Sequence, residues 1–374
     1  MTNSILETGI RLVRNVDRYN FGWASIRELS GHLEKRRIIS REKAADSRVV
    51  FFIDQFFQGR DSIIANGGIK PDDCVIFVPT SEEPTTKMID QLTGNLRDFG
   101  CESPCAVVGI GGGITLDTAK AVSNLLTNGG LASDYQGWDL VKVPGIYKIG
   151  IPTISGTGAE ATRTCVMTNP VSGLKLGMNS DYTVFDQIIL DPELTGTVPR
   201  NQYFYTGMDA YIHCFESLSG SYRNAIGDAF SRETMNLCRQ VFNEGDMMSA
   251  INRERLMVAS YLGGCAIASS YVGLVHPFSA GLSVVLGTHH CIGNCIAIRA
   301  MDEFYPHACT EFWRMAELQK IEVPSGLCNN LSDQQYMDLY NATVIHQKPL
   351  TNALGEDFKK VLTVDKVIEM FKKM

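Results

Sequence analysis

Hydrophobic residues in the first half of the chain fall into short unbroken runs: VVFFID at 49 to 54, CVIFVP at 74 to 79, CAVVGI at 105 to 110 and KIGIP at 148 to 152. Helical or turn segments separate them. A strand that is apolar at every position is covered on both faces, and such strands alternating with helices indicate a parallel sheet. From Asn201 onward the period becomes helical, through YFYTGMDAYIHCFESL, ERLMVASYLGGCAIASSYV and HACTEFWRMAELQ. The pattern predicts an α/β domain over residues 1–195 and an all-helical domain over residues 196–374, divided near the turn DPELTGTVPR. Repeats and low-complexity tracts are absent from the sequence.

The helical half gathers histidine. LVHPFSAGLSVVLGTHHCIGNC, residues 274 to 295, holds three of the seven histidines in the chain. On one unbroken helix His276 and His290 would share a face but stand roughly 21 Å apart, too far for one metal ion. Pro277 suits a helix start, and Gly287 with Thr288 suits a break before a new helix at about Cys291. If the chain doubles back at Gly287, both imidazoles can reach a common point.

A second polar group interrupts an otherwise apolar helix. In TGMDAYIHCFESL, Asp209, His213 and Glu216 stand at i, i+4 and i+7, which puts a carboxylate and an imidazole on one face about 6 Å apart. An amphipathic surface helix is the other reading, but the remaining positions are too apolar to face water. Asp209 and His213, joined by His276 and His290, make one oxygen and three nitrogen ligands. Such a set suits Fe²⁺ or Zn²⁺ and leaves a position open for substrate. A substrate hydroxyl bound there would lose its proton more readily, which favours hydride departure from the same carbon.

CAVVGIGGGITLDTAKAVSNLL reads as a buried strand, three glycines and an amphipathic helix. With no side chain at Gly111, Gly112 or Gly113, a diphosphate can approach backbone N–H groups at a helix N-terminus. A tight strand-to-helix turn is the alternative, and the spacing matches neither G-x-G-x-x-G nor a Walker loop. Asp54, ending an earlier strand, is placed to accept hydrogen bonds from a ribose or to face solvent in a turn. In IPTISGTGAEAT, Thr153, Ser155 and Thr157 are further candidate donors to a nucleotide.

Composition narrows the partners. With 44% apolar residues over 374 positions the chain can bury a large core. A net charge of −7 gives no broad basic surface, so nucleic acid is not an expected partner. MTNSILETGIRLVRNVDRYN breaks its apolar residues with charges, as neither a signal peptide nor an anchor does, and no apolar run approaches the ~20 residues that cross a bilayer. The eleven cysteines lie mostly in apolar runs and read as reduced, buried thiols of a cytoplasmic protein. The spacings of Cys101 with Cys105 and of Cys291 with Cys295 also admit zinc, with core packing the alternative.

In combination, GGG-x-x-x-D-x-A-K (Gly111 to Lys120), P-T-x-x-G-T-G-x-E (Pro152 to Glu160), D-P at Asp191, G-x-D-x-x-x-H-x-x-E (Gly207 to Glu216) and two histidines fourteen apart resemble the iron-containing, group III alcohol dehydrogenases. The resemblance spans nearly the whole chain. It implies the dehydroquinate synthase-like fold, an N-terminal α/β domain binding NAD or NADP, a helical C-terminal domain, and a metal held by Asp209, His213, His276 and His290. It also implies a homodimer and a nucleotide site drawing on Asp54, Gly112, Gly113, Asp117, Thr153, Thr157 and Lys175. Two departures stand out: Ile114 follows the glycines where serine is common, and Ala280 stands where the family often has a further histidine, with His289 a candidate substitute.

More narrowly, EEPTT, YQGWDLVK, GIPTISGTGAEATRT, NSDYTVFDQIILD, FYTGMDAYIHCFESL, LGTHHCIGNCIA and EFYP resemble the Kdo 8-oxidase branch of that family. That branch implies oxidation of the C8 alcohol of 3-deoxy-D-manno-octulosonate, a sugar acid, to an aldehyde that an aminotransferase then aminates for lipopolysaccharide. Arg163 is a candidate partner for the sugar-acid carboxylate or for a structural carboxylate. Four readings remain beside this one: an NAD(P)-dependent dehydrogenase of another small alcohol or sugar, a sugar-phosphate cyclase or lyase of the same fold, oxygen in place of NAD(P) as electron acceptor, and a binding protein that keeps the scaffold without turnover, which the four ligands in register disfavour.

Overall fold

The computed structural model describes residues 10, 12–60 and 67–374, so residues 1–9 and 11 of the N-terminal stretch tested for a signal or anchor lie outside them. The strands are β1 (Arg18–Phe21), β2 (Val49–Asp54), β3 (Cys74–Val78), β4 (Ala106–Gly111), β5 (Gly137–Trp138), β6 (Lys148–Pro152), β7 (Thr164–Asn169), β8 (Leu174–Asn179) and β9 (Gln187–Leu190). Six form an all-parallel sheet in the order β1-β9-β6-β4-β2-β3. The alternation of side chains along β2 shows why its run is apolar throughout. Val50 and Phe52 pack with Val107, Ala119 and Val122 on one face, while Val49, Phe51 and Ile53 pack with Leu29, Leu33 and Ile110 on the other. The helices concerned are α1 (Glu28–Glu42) and α3 (Gly113–Asn128), and α2 (Thr86–Asp98) adds Ile89 and Leu96 to the cluster around Val50 and Phe52.

The four expected strands are all present. A second sheet, ordered β5-β8-β7 and containing the antiparallel pair β7 and β8, was not expected. Strands β7 and β8 mix polar with apolar positions, and β7 alternates between partly exposed and buried residues only at its start.

The described residues group into two compact units, one of Arg14–Ile154 with Ala159–Thr197, the other of residues 10, 12 and 13 with Ser155–Gly158 and Val198–Met374. The second unit contains α4 (Arg200–Ser219), α5 (Ala225–Phe242), α6 (Ala250–Ala268), α7 (Val275–Leu286), α8 (His290–Ala297) and α9 (Pro306–Leu318), followed by shorter helices. Residues 155–158, expected in the first domain, therefore belong to the helical unit. Gly156 lies at φ +140° against α4, where a Cβ would collide with the Thr206 carbonyl. The adjoining Gly158 N–H donates to the Ser260 hydroxyl on α6 at 3.3 Å. No helix among the described residues is long and apolar enough to cross a membrane. The eleven cysteines are free, all but Cys74 are buried, and neither suspected zinc pair joins a metal-ligating cluster among the described residues.

Candidate metal centre and nucleotide loop

Helix α4 is buried over nearly its whole length, Tyr203 to Ser217, so its polar stripe has no water to face. Asp209 and Glu216 are fully buried and His213 is 3% exposed. Carboxylates so placed need partners. Helix α7 supplies His276 in its first turn and ends at Gly287 in the left-handed conformation at φ +70°. That is the residue type and position of a helix C-terminus that reverses the chain. Helix α8 then begins at His290. The reversal brings the His276 and His290 rings to 5.5 Å between centroids, while His213 stacks on His276 at 4.7 Å.

All three rings turn a nitrogen toward Asp209. Its Oδ1 lies 3.5 Å from His213 Nε2 and 3.3 Å from His276 Nε2, and its Oδ2 lies 3.8 Å from His290 Nε2. Asp209, His276 and His290 each offer an atom within 4.8 Å of the others. Ligand atoms about 2.1 Å from one cation stand about 3.4 Å apart in a tetrahedron, so these spacings fit a divalent transition-metal site.

The electrostatics favour the ligating form at His213 and a protonated ring at His276, whose Nε2 proton a bound cation would displace. Burial pushes the His213 imidazole down to about 3; Asp209 opposes this, and the His276 and His290 rings add to it. The ring is therefore neutral near pH 7, the form that ligates metals. Burial would raise the Asp209 carboxyl, but His213, His290 and the hydrogen bond with His276 outweigh it and hold the group well below the usual carboxylate range. Burial also lowers His276, and here Glu216 and Asp209 prevail, raising it to about 9.

Two residues behind the ligands organise them. Glu216 Oε2 lies 2.5 Å from His276 Nδ1, and its Oε1 accepts from the Val275 N–H at 2.5 Å. A carboxylate only accepts, so Nδ1 carries hydrogen and Nε2 is the atom directed at Asp209. Asn294 Nδ2 donates to Asp209 Oδ1 at 2.6 Å. Sequence reading placed Glu216 on the stripe without giving it a task, and it missed Asn294. The available signal was its place four residues after His290, one turn along the same helix face.

The other candidates belong to the sheet unit. Strand β4 ends at Gly111, Gly112 is the N-cap of α3, and no side chain caps that terminus. Its first-turn N–H groups are thus free of a capping side chain, as an anion-binding helix start requires. Asp54, Gly111 and Thr153 stand at or just beyond the carboxyl ends of the neighbouring strands β2, β4 and β6, and the Thr153 N–H donates to the Gly111 carbonyl at 3.1 Å. Ligands of open parallel sheets bind at that edge. Asp54 accepts from Phe56 N–H at 2.9 Å and from the Thr80 hydroxyl at 3.3 Å.

Three further candidates pair with charged or backbone groups of the protein. Asp117 accepts from the Val166 N–H at 2.9 Å and lies 3.6 Å from Lys120 Nζ, tying α3 to β7. Lys175 pairs with Glu83 at 3.1 Å. Arg163 reaches Asp139 at 2.6 Å and Asp181 at 3.2 Å, the structural role weighed for it. In the helical unit, Ser155 is buried, Thr157 is half-buried, and His289 is exposed just before α8.

The chain is similar to known proteins over most of its length. Residues 17–192 match the family model described as iron-containing alcohol dehydrogenase, and residues 203–337 match the C-terminal model of the Fe-containing alcohol dehydrogenase family. Sulfoacetaldehyde reductase of Bilophila wadsworthia (strain 3_1_6) is 36% identical over 213 residues, 56% of this chain and 54% of that protein. NAD-dependent methanol dehydrogenase of Bacillus methanolicus is 31% identical over 251 residues, 66% of this chain and 65% of that protein. The matched stretch thus spans between half and two thirds of these curated relatives. Among solved structures, alcohol dehydrogenase from Oenococcus oeni superposes with a TM-score of 0.81 at 18% identity, covering 97% of this chain and 100% of that one. Sulfoacetaldehyde reductase from Bifidobacterium kashiwanohense, in complex with NAD+, gives 0.75 at 21% identity, covering 97% and 98%. At such identities the superpositions speak for the fold.

Proposed function

The chain belongs to the iron-containing alcohol dehydrogenase family, and from that premise we propose that it is a metal-dependent alcohol oxidoreductase using NAD(H) or NADP(H). The observation that carries the reading is the convergence of His213, His276 and His290 on the buried Asp209 carboxylate. Asp209, His213, His276 and His290 would hold a divalent cation, which when bound would supply Lewis acidity toward a substrate hydroxyl, and a bound nicotinamide would supply the hydride acceptor.

The chain's own residues do the remaining work. Asp209 contributes the negative charge that a buried cation needs, and Glu216 keeps His276 in the tautomer whose Nε2 faces the site. The uncapped start of α3 offers N–H groups to a diphosphate, and Asp54 offers a carboxylate to a ribose. The same carboxylate repels a 2′-phosphate, which favours NAD.

For the substrate we propose a sugar acid oxidised at a primary alcohol, the C8 hydroxyl of 3-deoxy-D-manno-octulosonate in the first instance, with an aminotransferase consuming the aldehyde. Support comes from the sequence runs EEPTT, YQGWDLVK and NSDYTVFDQIILD. The named relatives favour a second reading, a small alcohol or aldehyde. A homodimer is proposed as well, supported by the exposure of Tyr19 and Phe21 on the sheet-edge strand β1; light scattering in solution tests it.

Metal-reconstituted protein incubated with sugar acids and short alcohols, with and without nucleotide and air, tests the whole reading. Mass measurement of the products should show loss of two hydrogens that depends on metal and nucleotide. A product of unchanged oxidation level would indicate a cyclase or lyase, and turnover that needs air but not nucleotide would indicate an oxidase.

A further inference from the structure

Resting on the reading of the Asp209 cluster as a cation site, we propose that Asn294 is a positioning residue of that site, acting through Asp209 to direct one carboxylate lone pair at the cation. Asn294 sits in the middle of CIGNCIA, an otherwise apolar helix, and is fully buried. Its Nδ2 is 2.6 Å from Asp209 Oδ1, the same oxygen that faces the Nε2 atoms of His213 and His276. An ionised carboxylate only accepts, so the atom at 2.6 Å is the amide NH₂ and the orientation of the amide is settled.

A carboxylate oxygen has two lone-pair directions. With one held by the amide, the other is left pointing into the space between the rings. The same Nδ2 lies 3.3 Å from His276 Nε2 and 3.4 Å from His290 Nε2, so the amide touches three of the four ligands. Its carbonyl oxygen is buried with no hydrogen-bond partner among the described residues. The side chain is therefore held by its N–H side, toward Asp209. A polar group kept half-satisfied in a core calls for a reason beyond packing, and hydrogen-bonding a ligating carboxylate is such a reason.

The test uses Asn294→Leu, which keeps much of the volume without a donor, and Asn294→Ala. Zn²⁺ affinity is read by competition with a chromophoric chelator, coordination by the visible spectrum of the Co²⁺ form, and the fold by the thermal midpoint of the metal-free protein. Zn²⁺ should bind about 10- to 100-fold more weakly in both variants, and the Co²⁺ bands should shift. A purely structural anchor would lower the midpoint while leaving affinity and spectrum unchanged, and that result overturns the proposal. So does loss of fold in both variants, because anchoring then suffices. Wild-type protein and His276→Ala separate this failure from that of the site itself. If wild-type protein binds no Zn²⁺ that His276→Ala loses, the cation site and the role of Asn294 fall together.

Discussion

The Asp209 cluster and the glycine loop were both legible as motifs, yet they use their polar residues in opposite ways. In the cluster, the three histidines turn to one buried carboxylate, Asp209, and Glu216 and Asn294 hold those side chains in place. At the loop, the glycines expose backbone, while the charged residues of the same motif, Asp117 and Lys120, turn to β7 and to the Thr162 and Thr164 carbonyls. A motif can thus mark a site through its side chains or through its backbone, with its charged members serving the scaffold.

Removing a ligand perturbs the cluster most. Asp209→Asn and His276→Ala take away a charge or a nitrogen on which the proposed cation depends. The several kcal/mol that a Lewis acid contributes to the transition state correspond to a loss of about 10³-fold or more in kcat. Metal analysis should show the cation gone with the fold kept. Full activity in a variant that retains no metal would end the metal mechanism.

A weaker perturbation reaches the same side chains from behind. Glu216→Gln keeps the shape but can present an amide N–H to His276 Nδ1 and removes the charge opposite it. Metal affinity should fall about 10- to 100-fold by chelator competition. If affinity holds while stability drops, Glu216 anchors the helix and does not orient the ring.

At the loop, one carboxylate should matter for the nucleotide. Asp54→Gly should improve NADP relative to NAD by about tenfold in kcat/KM, through loss of a repulsive charge near the ribose. An unaltered ratio would place the ribose elsewhere.

How far these sites could be read in the sequence follows the range of the interactions involved. Asp209, His213 and Glu216 lie within two helical turns, so period alone put them on one face. The reversal at Gly287 was readable because glycine is the residue type that most readily takes the left-handed backbone of a helix end. The central strands were readable because both of their faces are covered. Asn294 was hidden by having a single amide in an apolar run, and its meaning comes from Asp209, 85 residues earlier. Arg163 looked equally like a substrate contact until Asp139 and Asp181 stood beside it. The β7–β8 hairpin, half-covered and mixed in polarity, carries neither a continuous apolar run nor clean alternation.

The smallest effect tests the scaffold side of the comparison. Burial raises the Asp117 carboxyl to about 6, against the pull of Lys120 and the Val166 N–H in the other direction. Below about pH 4, the ordinary carboxylate value, folded and unfolded chains both hold this proton and the group is neutral to stability. Between about pH 4 and 6 the unfolded chain releases the proton first, so stability is lost as pH rises, and above 6 the loss is complete. The amide introduced by Asp117→Asn cannot ionise, so the thermal midpoint of that variant relative to wild type should climb across the window and level off above it. Nucleotide affinity at neutral pH should hardly change if Asp117 serves β7. Midpoints that stay parallel from about pH 4 to 7, with nucleotide affinity falling instead, would return Asp117 to the nucleotide and show that this loop, like the metal cluster, works through its side chains.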